Sequence, residues 1–463
     1  MLVPFNLRTY RIGIANGILG VTGARLADLT TIVPLLIHRL SGAAWMVGLV
    51  LGLRGVVRTF VQVGAARTLD IHDHKKPAYV LASVLRAIIY VSMAVVMWFA
   101  DVIPDGVVLA VVVLGLLGYA GSAGLAGLAF NDMLAKSVPT TRRGSLQMWR
   151  RLGAVVVIFA GVTPFVHWMI GDDSPFDFPR NFGVLFAASV TVSGAAWLLF
   201  SRIREPKSRA STRKRTWREH LQHGVFLFRD DRSYRRVIRI RLLIGVAAAI
   251  RPFLIIFATD VWGLGDDIAA TFLAIQVAAE FVGALLVGRI SDRIGNRTAI
   301  LVAISAVILC SAAAVTAGAA MWDVPIRVLA WQTNLQVIIL GVSFIGSGMF
   351  LASLMIGYTN YLMDIAPEEE RPSYMGFSTA FTFPLAVAPL VYGWAADVVG
   401  YQPVFIAALV LSLGALYLFL QLPEPRDELD DGDLESSLVP SAEDGAESGD
   451  EAPDSTEESS SPR

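Results

Sequence analysis

Several charged residues lie inside long apolar segments of this sequence, where charge is unexpected. They are Arg25, Asp28, Arg54, Arg58, Arg86, Arg251 and Glu280. A charged side chain at the middle of a bilayer is costly and marks function by default. Arginine presents forked donors that suit a carboxylate or a phosphate. A desolvated carboxylate that gains and loses an arginine neighbour takes up and releases a proton. If these segments cross a membrane, the residue types indicate anion binding and proton movement.

Residues suited to other kinds of chemistry are scarce. The single cysteine, Cys310, lies in an apolar run, so the chain has neither an internal disulfide nor a cysteine metal site. The six histidines show no metal-ligand spacing, and the sequence contains no nucleophile–base arrangement and no phosphate-binding loop. We therefore predict no enzymatic activity, no metal and no cofactor.

The segments that hold these charges have the composition of membrane spans. Of the 463 residues, 55% are hydrophobic and 17% are charged, and the mean hydropathy is +0.59. A helix needs about 20 apolar residues to cross a bilayer, and only helices or closed barrels satisfy their backbone there. We place twelve helical spans at residues 10–37, 43–66, 77–100, 107–130, 145–171, 181–202, 238–261, 268–289, 298–321, 335–363, 373–396 and 402–422.

The loops between the spans alternate in charge, and this predicts their orientation. One set is basic and contains Lys75, Lys76, Lys136, Arg142, Arg143, Arg293, Arg297 and the stretch 202–241. The other set is acidic and contains Asp101, Asp105, Asp172, Asp173, Asp266, Asp267, Asp323 and Asp397. Because basic loops stay in the cytoplasm, we expect both termini to be cytoplasmic in a multi-pass protein of the cytoplasmic membrane.

Four regions follow from these patterns. Residues 1–201 form a first six-helix bundle and residues 237–425 a second one. Residues 202–236 form a basic central loop, which we expect to meet anionic lipid rather than nucleic acid. Residues 426–463 are rich in Asp, Glu, Ser and Gly, and such a segment is too polar to bury a core. We predict that this acidic tail is disordered.

An internal repeat relates the two bundles. The frame Pro-x-x-x-Arg-x-Ser starts at Pro139 and again at Pro367, 228 residues later, and includes Arg143 and Arg371. Arg25 lies 226 positions before Arg251. With an offset of 222, the pair Arg54 and Arg58 corresponds to Gln276 and Glu280. Because six is an even number, both copies cross the membrane in the same direction, and such parallel repeats place a substrate cavity between the halves. The predicted fold class is therefore all-α integral membrane, with two six-helix bundles related by a parallel repeat.

The loop between spans 8 and 9 carries a recognisable motif, Gly-x-x-x-Asp-Arg-x-Gly-x-Arg. Its residues are Gly288, Asp292, Arg293, Gly295 and Arg297. Here the chain resembles the major facilitator superfamily over about residues 8–422, although the arginine motif of span 4 and the Gly-Pro motif of span 5 found in its drug antiporters are missing. The resemblance implies a secondary transporter that works by alternating access. It also implies a cytoplasmic gate formed by this motif with Asp70, Arg143 and Arg371.

The resemblance further implies that Arg25 and Arg251 face each other across the substrate site. Hydrogen-bonding candidates for the ligand are Tyr119, Asn334 and Tyr358. We take Asp28 and Glu280 as candidates for proton coupling and Arg54, Arg58 and Gln276 as contacts between the halves. Two simpler interpretations stay open, in which Arg25 only pairs with Asp28 and Glu280 only pairs with Arg58. Arg86 is interpreted as structural.

The first functional hypothesis is a proton-coupled transporter of a small organic or phosphorylated anion. Its partners would be that small molecule, protons and the lipid bilayer, with no nucleic acid, and the protein would act as a monomer. A second hypothesis is an exporter of amphipathic, drug-like or lipid-like compounds. A third, of another class, is a membrane receptor or scaffold that transports nothing.

Overall fold

The protein is described here from a computed structural model. The structure describes residues 6–70, 74–205, 226, 228–229, 231–319, 324–328, 331–367, 374, 377–378, 381 and 383–422. We call residues 6–205 the first half and residues 231–422 the second half. Of the predicted gate residues, Arg371 and the side chains of Asp70 and Asp292 lie outside the described residues.

The first half contains spans 1 to 6. Span 1 is α1 (Leu7–Arg25) with α2 (Ile32–Ser41), span 2 is α3 (Ala44–Asp70), span 3 is α4 (Lys76–Trp98) and span 4 is α5 (Asp105–Ser137). Span 5 is α6 (Thr140–Val157), a π-helical turn (Ile158–Val162) and α7 (Thr163–Ile170), and span 6 is α8 (Arg180–Ser201).

The second half contains spans 7 to 12. Span 7 is α9 (Arg232–Ala247), a 3₁₀ turn (Ala248–Ile250) and α10 (Arg251–Asp260), span 8 is α11 (Ile268–Arg293), and span 9 is α12 (Asn296–Ala317). Span 10 is α13 (Leu335–Ser353), a π-helical turn (Leu354–Tyr358) and α14 (Thr359–Ile365). Span 11 is a 3₁₀ turn (Phe383–Ala386) with α15 (Ala388–Val399), and span 12 is α16 (Tyr401–Phe419).

These elements confirm the predicted fold class. In the described part of the chain, ten helices are long and apolar enough to cross a membrane, and shorter apolar helices belong to spans 1 and 11. The outward face of span 3 shows how the apolar residues are used. Val84, Ile88, Val91 and Val95, three to four residues apart, are 49–57% exposed. Apolar side chains that lie on one helix face and point away from the protein are suited to lipid.

The two membrane faces differ in charge. Lys75, Lys76 and the start of α1 lie at one face, which we call the basic face. Asp101, Asp260 and Asp397 lie at the other, which we call the acidic face. The acidic face also carries a feature that the sequence did not predict, an antiparallel hairpin of β1 (Pro325–Val328) and β2 (Trp331–Asn334) between spans 9 and 10.

Span 1 is interrupted between Arg25 and Ile32, and the interruption positions the candidate site. Oδ1 of Asp28 accepts hydrogen bonds from the backbone N–H of Thr30 at 2.8 Å and of Thr31 at 3.2 Å. The carbonyl of Asp28 accepts the N–H of Val33 at 2.8 Å. Hydrogen bonds that an aspartate side chain accepts from the N–H groups two and three residues ahead replace the backbone hydrogen bonds of a continuing helix. They cap the start of a new helix instead. The second part of the span therefore begins beyond Asp28 rather than continuing α1.

Candidate functional site

A cavity of about 610 Å³ lies between the two halves. Span 1 contributes residues from Asn16 to Thr30, and spans 7, 8 and 10 contribute from the second half. Six ionisable side chains apart from Tyr79 line it, namely Arg25, Asp28, Arg86, Arg150, Arg251 and Glu280. Four arginines against two carboxylates give this lining an excess of positive charge, which favours an anionic occupant.

Arg25 forms the centre of the site and joins the halves. Its Nη1 donates to Oδ2 of Asp28 at 2.7 Å, and its Nη2 donates to Oε2 of Glu280 on span 8. The three side chains are 16%, 5% and 26% exposed. Arg25 therefore pairs with Asp28, as the simpler interpretation expected, but it also pairs with Glu280. Glu280 pairs with Arg25 rather than with Arg58.

Gln276 forms a second link between the halves, one helical turn from Glu280. It is fully buried, and its Oε1 accepts hydrogen bonds from Oγ1 of Thr30 at 2.9 Å and from Oγ of Ser347 at 3.3 Å. Residues four apart lie on one face of a helix. Gln276 and Glu280 thus both meet the interrupted part of span 1, so Asp28, Arg25 and these two residues form one polar cluster. We call these four residues the deep cluster.

Arg251 also lines the cavity but makes no ion pair among the described residues. Its Nε donates to the carbonyl of Ala248 at 3.0 Å, and its guanidinium lies 5.4 Å from the ring centre of Phe350. Its Nη1 is buried without a hydrogen-bond partner in the described part of the chain. Because an unsatisfied buried donor is costly, Arg251 is ready to bind an acceptor that enters the cavity.

Two further arginines line the cavity on the side towards the basic face, and the sequence analysis did not place them there. Arg86 of span 3, interpreted as structural, lies 4.2 Å from the ring centre of Trp197. Arg150 of span 5 lies 5.1 Å from the ring centre of Phe130. Arg150 occupies the space opposite Gly17, where an added Cβ would lie only 1.9 Å from its Nε. That glycine is the one sequence signal that could have indicated a bulky neighbour.

The other predicted site residues lie outside the cavity lining. Tyr119 stacks on Tyr90 with ring centres 4.3 Å apart. Tyr358 lies in the π-helical turn of span 10, with the guanidinium of Arg241 at 5.4 Å from its ring centre. Asn334 ends β2 at the acidic face.

Arg54 and Arg58, predicted to contact the second half, also lie outside the lining. Arg58 is exposed. The Nε of Arg54 is buried, and no described residue accepts a hydrogen bond from it. Neither arginine forms an ion pair with a described residue.

The motif between spans 8 and 9 forms a tight turn. Gly295 has φ = +126°, a conformation that side chains other than glycine rarely adopt. Arg293 is exposed, and Arg297 lies 5.0 Å from the ring centre of Phe419. A Cβ at Gly288 would meet nothing within 4 Å. In the corresponding loop of the first half, Arg143 donates to the carbonyls of Val138 and Ala135 at 3.1 and 2.6 Å and so ends span 4.

Next to this turn is a polar network that the sequence analysis missed. Nδ2 of Asn296 donates to Oδ2 of Asp364 at 2.5 Å, Asn296 also bonds to Ser291, and Nδ2 of Asn360 donates to Ser291 at 3.3 Å. These contacts tie spans 8, 9 and 10 together at the basic face. All of these contacts join residues of the second half, so the turn is bound to its own half rather than to the first one.

At the acidic face, direct contacts close the space between the halves. They are the pairs Arg39–Asp266 at 2.6 Å, His38–Asp260 at 3.5 Å and His167–Asp267 at 3.4 Å, and the bonds from the N–H groups of Ala44 and Trp45 to Asp397 at 2.9 and 2.7 Å. Gly48 of span 2 approaches span 11 so closely that a Cβ would lie 2.1 Å from the carbonyl oxygen of Pro389. Among the described residues, hydrogen bonds and ion pairs between the halves occur only here and in the deep cluster.

Comparison with known structures shows that other transporters share this fold. A mutant of the nucleoside transporter NupG has a TM-score of 0.65 at 16% identity, over 90% of this chain and 99% of that chain. A D-xylose–proton symporter has a TM-score of 0.60 at 15% identity, over 90% and 98%. A POT family transporter bound to a thioalcohol-conjugated peptide has a TM-score of 0.62 at 12% identity, over 90% and 97%. At these identities the likeness shows the fold alone.

Two sequence comparisons complete the picture. No curated protein matches the sequence significantly. A family model described as Major Facilitator Superfamily matches residues 16–331 and 324–443, which together cover most of the chain. The resemblance in the motif between spans 8 and 9 is therefore confirmed. The chain belongs to the major facilitator superfamily and is a multi-pass membrane transporter rather than an enzyme.

Proposed function

We propose that the protein is a proton-coupled secondary transporter of a small organic or phosphorylated anion. The observation that carries this proposal is the deep cluster, in which Arg25 is shared by Asp28 and Glu280 across the boundary between the halves. The site lies in a cavity whose lining holds four arginines and two carboxylates. The six charged side chains of this lining favour an anionic solute over the amphipathic compounds of the second hypothesis.

Glu280 is the better of the two proton-coupling candidates. Asp28 accepts hydrogen bonds from Arg25 and from the backbone and hydroxyl groups of Thr30 and Thr31. With so many donors, the Asp28 carboxylate has little capacity left for a proton. Glu280 has Arg25 as its one ion-pair partner among the described residues and is 26% exposed, so a proton reaches it from the cavity. We assign proton carriage to Glu280 and a fixed counter-charge to Asp28.

This assignment links proton binding to anion binding. When Glu280 is ionised, Arg25 makes charge-assisted bonds to both carboxylates and its guanidinium is occupied. A proton on Glu280 removes one of the two negative charges and frees an edge of Arg25. An anion then bridges Arg25 and Arg251, and the bond between the halves through Glu280 is broken. A contact made in one state and lost in the other is what a rocking cycle requires.

The closed acidic face gives the direction of access. Because the described residues of the two halves meet at that face, we infer that the cavity opens towards the basic face, which we take to be cytoplasmic from the charge of its loops. The protein would then be an inward-facing transporter of the cytoplasmic membrane. The similar fold of a D-xylose–proton symporter supports the proposal of proton coupling.

Proteoliposomes test the proposal. Purified protein is reconstituted with a pH-sensitive dye in the lumen, and phosphate, glycerol 3-phosphate, lactate or citrate is added outside at constant ionic strength. We expect at least one anion to drive a change in luminal pH, and we expect Glu280→Gln to abolish that change. Arg54→Gln, at an intramembrane arginine outside the cavity, is the matched control and should behave like the wild type. Proton movement driven by xylose or uridine, but by none of the anions, would contradict the proposal.

A further inference from the structure

The cavity contains a second group of cationic residues, away from the deep cluster. Arg150 packs against Gly17 of span 1, and Arg25 follows eight residues later in the same helix. At 1.5 Å per residue, Gly17 and Arg25 are about 12 Å apart along the helix axis. Arg86 lines the same cavity as Arg150, and both guanidinium groups interact electrostatically with Tyr79. We call Tyr79, Arg86 and Arg150 the outer cluster.

The charge of the outer cluster is not balanced. Arg86 donates to the carbonyl of Ala82 at 3.3 Å and to Oγ of Ser83 at 3.2 Å, which uses two of its five donors. Arg150 forms no hydrogen bond or ion pair with the described residues. Neither arginine has a carboxylate partner in this part of the chain, whereas Arg25 has two. The uncompensated positive charge of the cavity therefore lies mainly here.

Aromatic rings hold both guanidinium groups in place. The guanidinium of Arg86 lies over the Trp197 ring and that of Arg150 over the Phe130 ring, at 4.2 and 5.1 Å from the ring centres. The ring covers one side of the guanidinium and leaves N–H donors on its other sides for an anion. This is how arginine is presented where it recognises planar or tetrahedral anions.

A role at the lipid headgroups does not account for these residues. Arg86 is eleven residues into span 3 and 9% exposed, so its charge does not reach the membrane surface. Arginines that serve headgroups extend towards the interface from the ends of helices. Both Arg86 and Arg150 instead line the cavity between the halves.

We propose that the outer cluster is a second anion subsite, which takes a carboxylate or phosphate group of a solute entering from the basic face. The proposal rests on the proposed function for the identity of that solute as the transported anion. On this proposal, the substrate carries an anionic group that binds Arg86 and Arg150 first and then moves to the deep cluster. The apolar body of the substrate then lies along Phe130 and Leu351.

A cysteine at position 127 measures the potential in this subsite. Gly127 lines the cavity three residues before Phe130, and a Cβ there meets nothing within 4 Å. Cys310, the single native cysteine, is changed to Ala. Purified Gly127→Cys protein is then treated with methanethiosulfonates that carry a sulfonate or a trimethylammonium group. The rate ratio is the rate of modification by the sulfonate reagent divided by the rate with the trimethylammonium reagent. We expect this ratio to be higher at position 127 than for free cysteine. Arg86→Gln or Arg150→Gln should each lower it by roughly fivefold, as expected for one charge nearby.

Two controls keep this measurement specific. Arg86→Lys and Arg150→Lys retain the charge and should retain the rate ratio, which separates electrostatics from misfolding. Leu351→Cys on span 10, beside the Phe350 that contacts Arg251, should show a ratio that the two Gln variants leave nearly unchanged. A ratio at position 127 that neither Gln variant lowers would overturn the proposal.

Protection by anions tests occupancy. Modification of the Gly127→Cys protein by uncharged methyl methanethiosulfonate, at constant ionic strength, should be slowed by millimolar inorganic phosphate or benzoate. The protection should disappear when Arg86→Gln and Arg150→Gln are added. Protection by phosphatidylglycerol in mixed micelles, but by neither soluble anion, would assign the subsite to a lipid headgroup and overturn the proposal. If phosphate protects while no anion moves protons in proteoliposomes, the subsite stands and the proposed function fails.

Discussion

The first helices of the two halves carry arginines at matching positions with opposite surroundings. Arg25 ends α1, and Arg251, 226 positions later, begins α10 after a 3₁₀ turn. Arg25 binds two carboxylates, whereas Arg251 has a backbone carbonyl and an aromatic ring. The position that corresponds to Asp28 in the second half is Leu254, which is fully buried. The two halves thus share the position of the arginine. They differ in the residue three positions later, which is Asp28 in the first half and Leu254 in the second.

Under the proposed function, this difference gives each arginine a distinct task. Arg25 would be neutralised until a proton reaches Glu280, so its affinity for an anion would depend on pH. Arg251 has a buried Nη1 with no described partner and would need no proton to bind an anion. An anion bridging the two would thus be held by one permanent and one conditional contact, which is the coupling that a proton-driven cycle needs.

The largest expected effect is on stability. Arg25→Gln leaves the buried Asp28 and the partly exposed Glu280 without their partner and should destabilise the protein by about 3–5 kcal/mol, a typical cost of breaking a buried pair. Arg251→Gln removes no ion pair and should change the thermal unfolding midpoint in detergent far less. Adding Asp28→Asn and Glu280→Gln to Arg25→Gln should restore most of the loss. Equal destabilisation by the two arginine variants would refute the comparison.

The next effect is on anion affinity. Arg251→Lys keeps the charge but loses the forked geometry, and it should weaken binding of the most active anion by about 1–3 kcal/mol, or roughly 5- to 150-fold. Arg25→Lys should weaken binding as well, and the double variant should cost less than the two single costs combined because both residues hold one ligand. Binding is measured with the radiolabelled anion on purified protein. Strictly additive costs would indicate two separate sites.

The smallest effect concerns the interruption of span 1. Thr30→Val removes the hydroxyl that lies within hydrogen-bonding distance of both Asp28 and Gln276, and it should cost about 1 kcal/mol. Thr30→Ser retains the hydroxyl and serves as the control. Both are compared by thermal unfolding in detergent. If Thr30→Val were as stable as Thr30→Ser, the hydroxyl would contribute nothing to the junction between the halves.

The sequence predicted the fold well because spans and repeats depend on hydrophobicity and spacing. The repeat also identified the residues of the deep cluster, since Gln276 and Glu280 correspond to Arg54 and Arg58. The repeat did not identify the partners of Gln276 and Glu280 on span 1, which are Thr30 and Arg25. The interruption of span 1 contains neither glycine nor proline and depends on the side chain of Asp28. Arg150 lies within the predicted span 5, next to Arg151, and its place in the cavity depends on its packing against Gly17, which the spacing of apolar residues does not reveal.

The pH dependence of anion binding tests the central claim most directly. If a proton on Glu280 frees Arg25, wild-type affinity should rise as the pH falls, by up to about tenfold per unit over the range in which Glu280 is ionised in the empty protein and protonated in the anion-bound protein. Glu280→Gln mimics the protonated state and should bind with the low-pH affinity of the wild type at every pH. Wild-type binding that does not change with pH, or a Glu280→Gln variant that keeps the full pH dependence, would contradict the account.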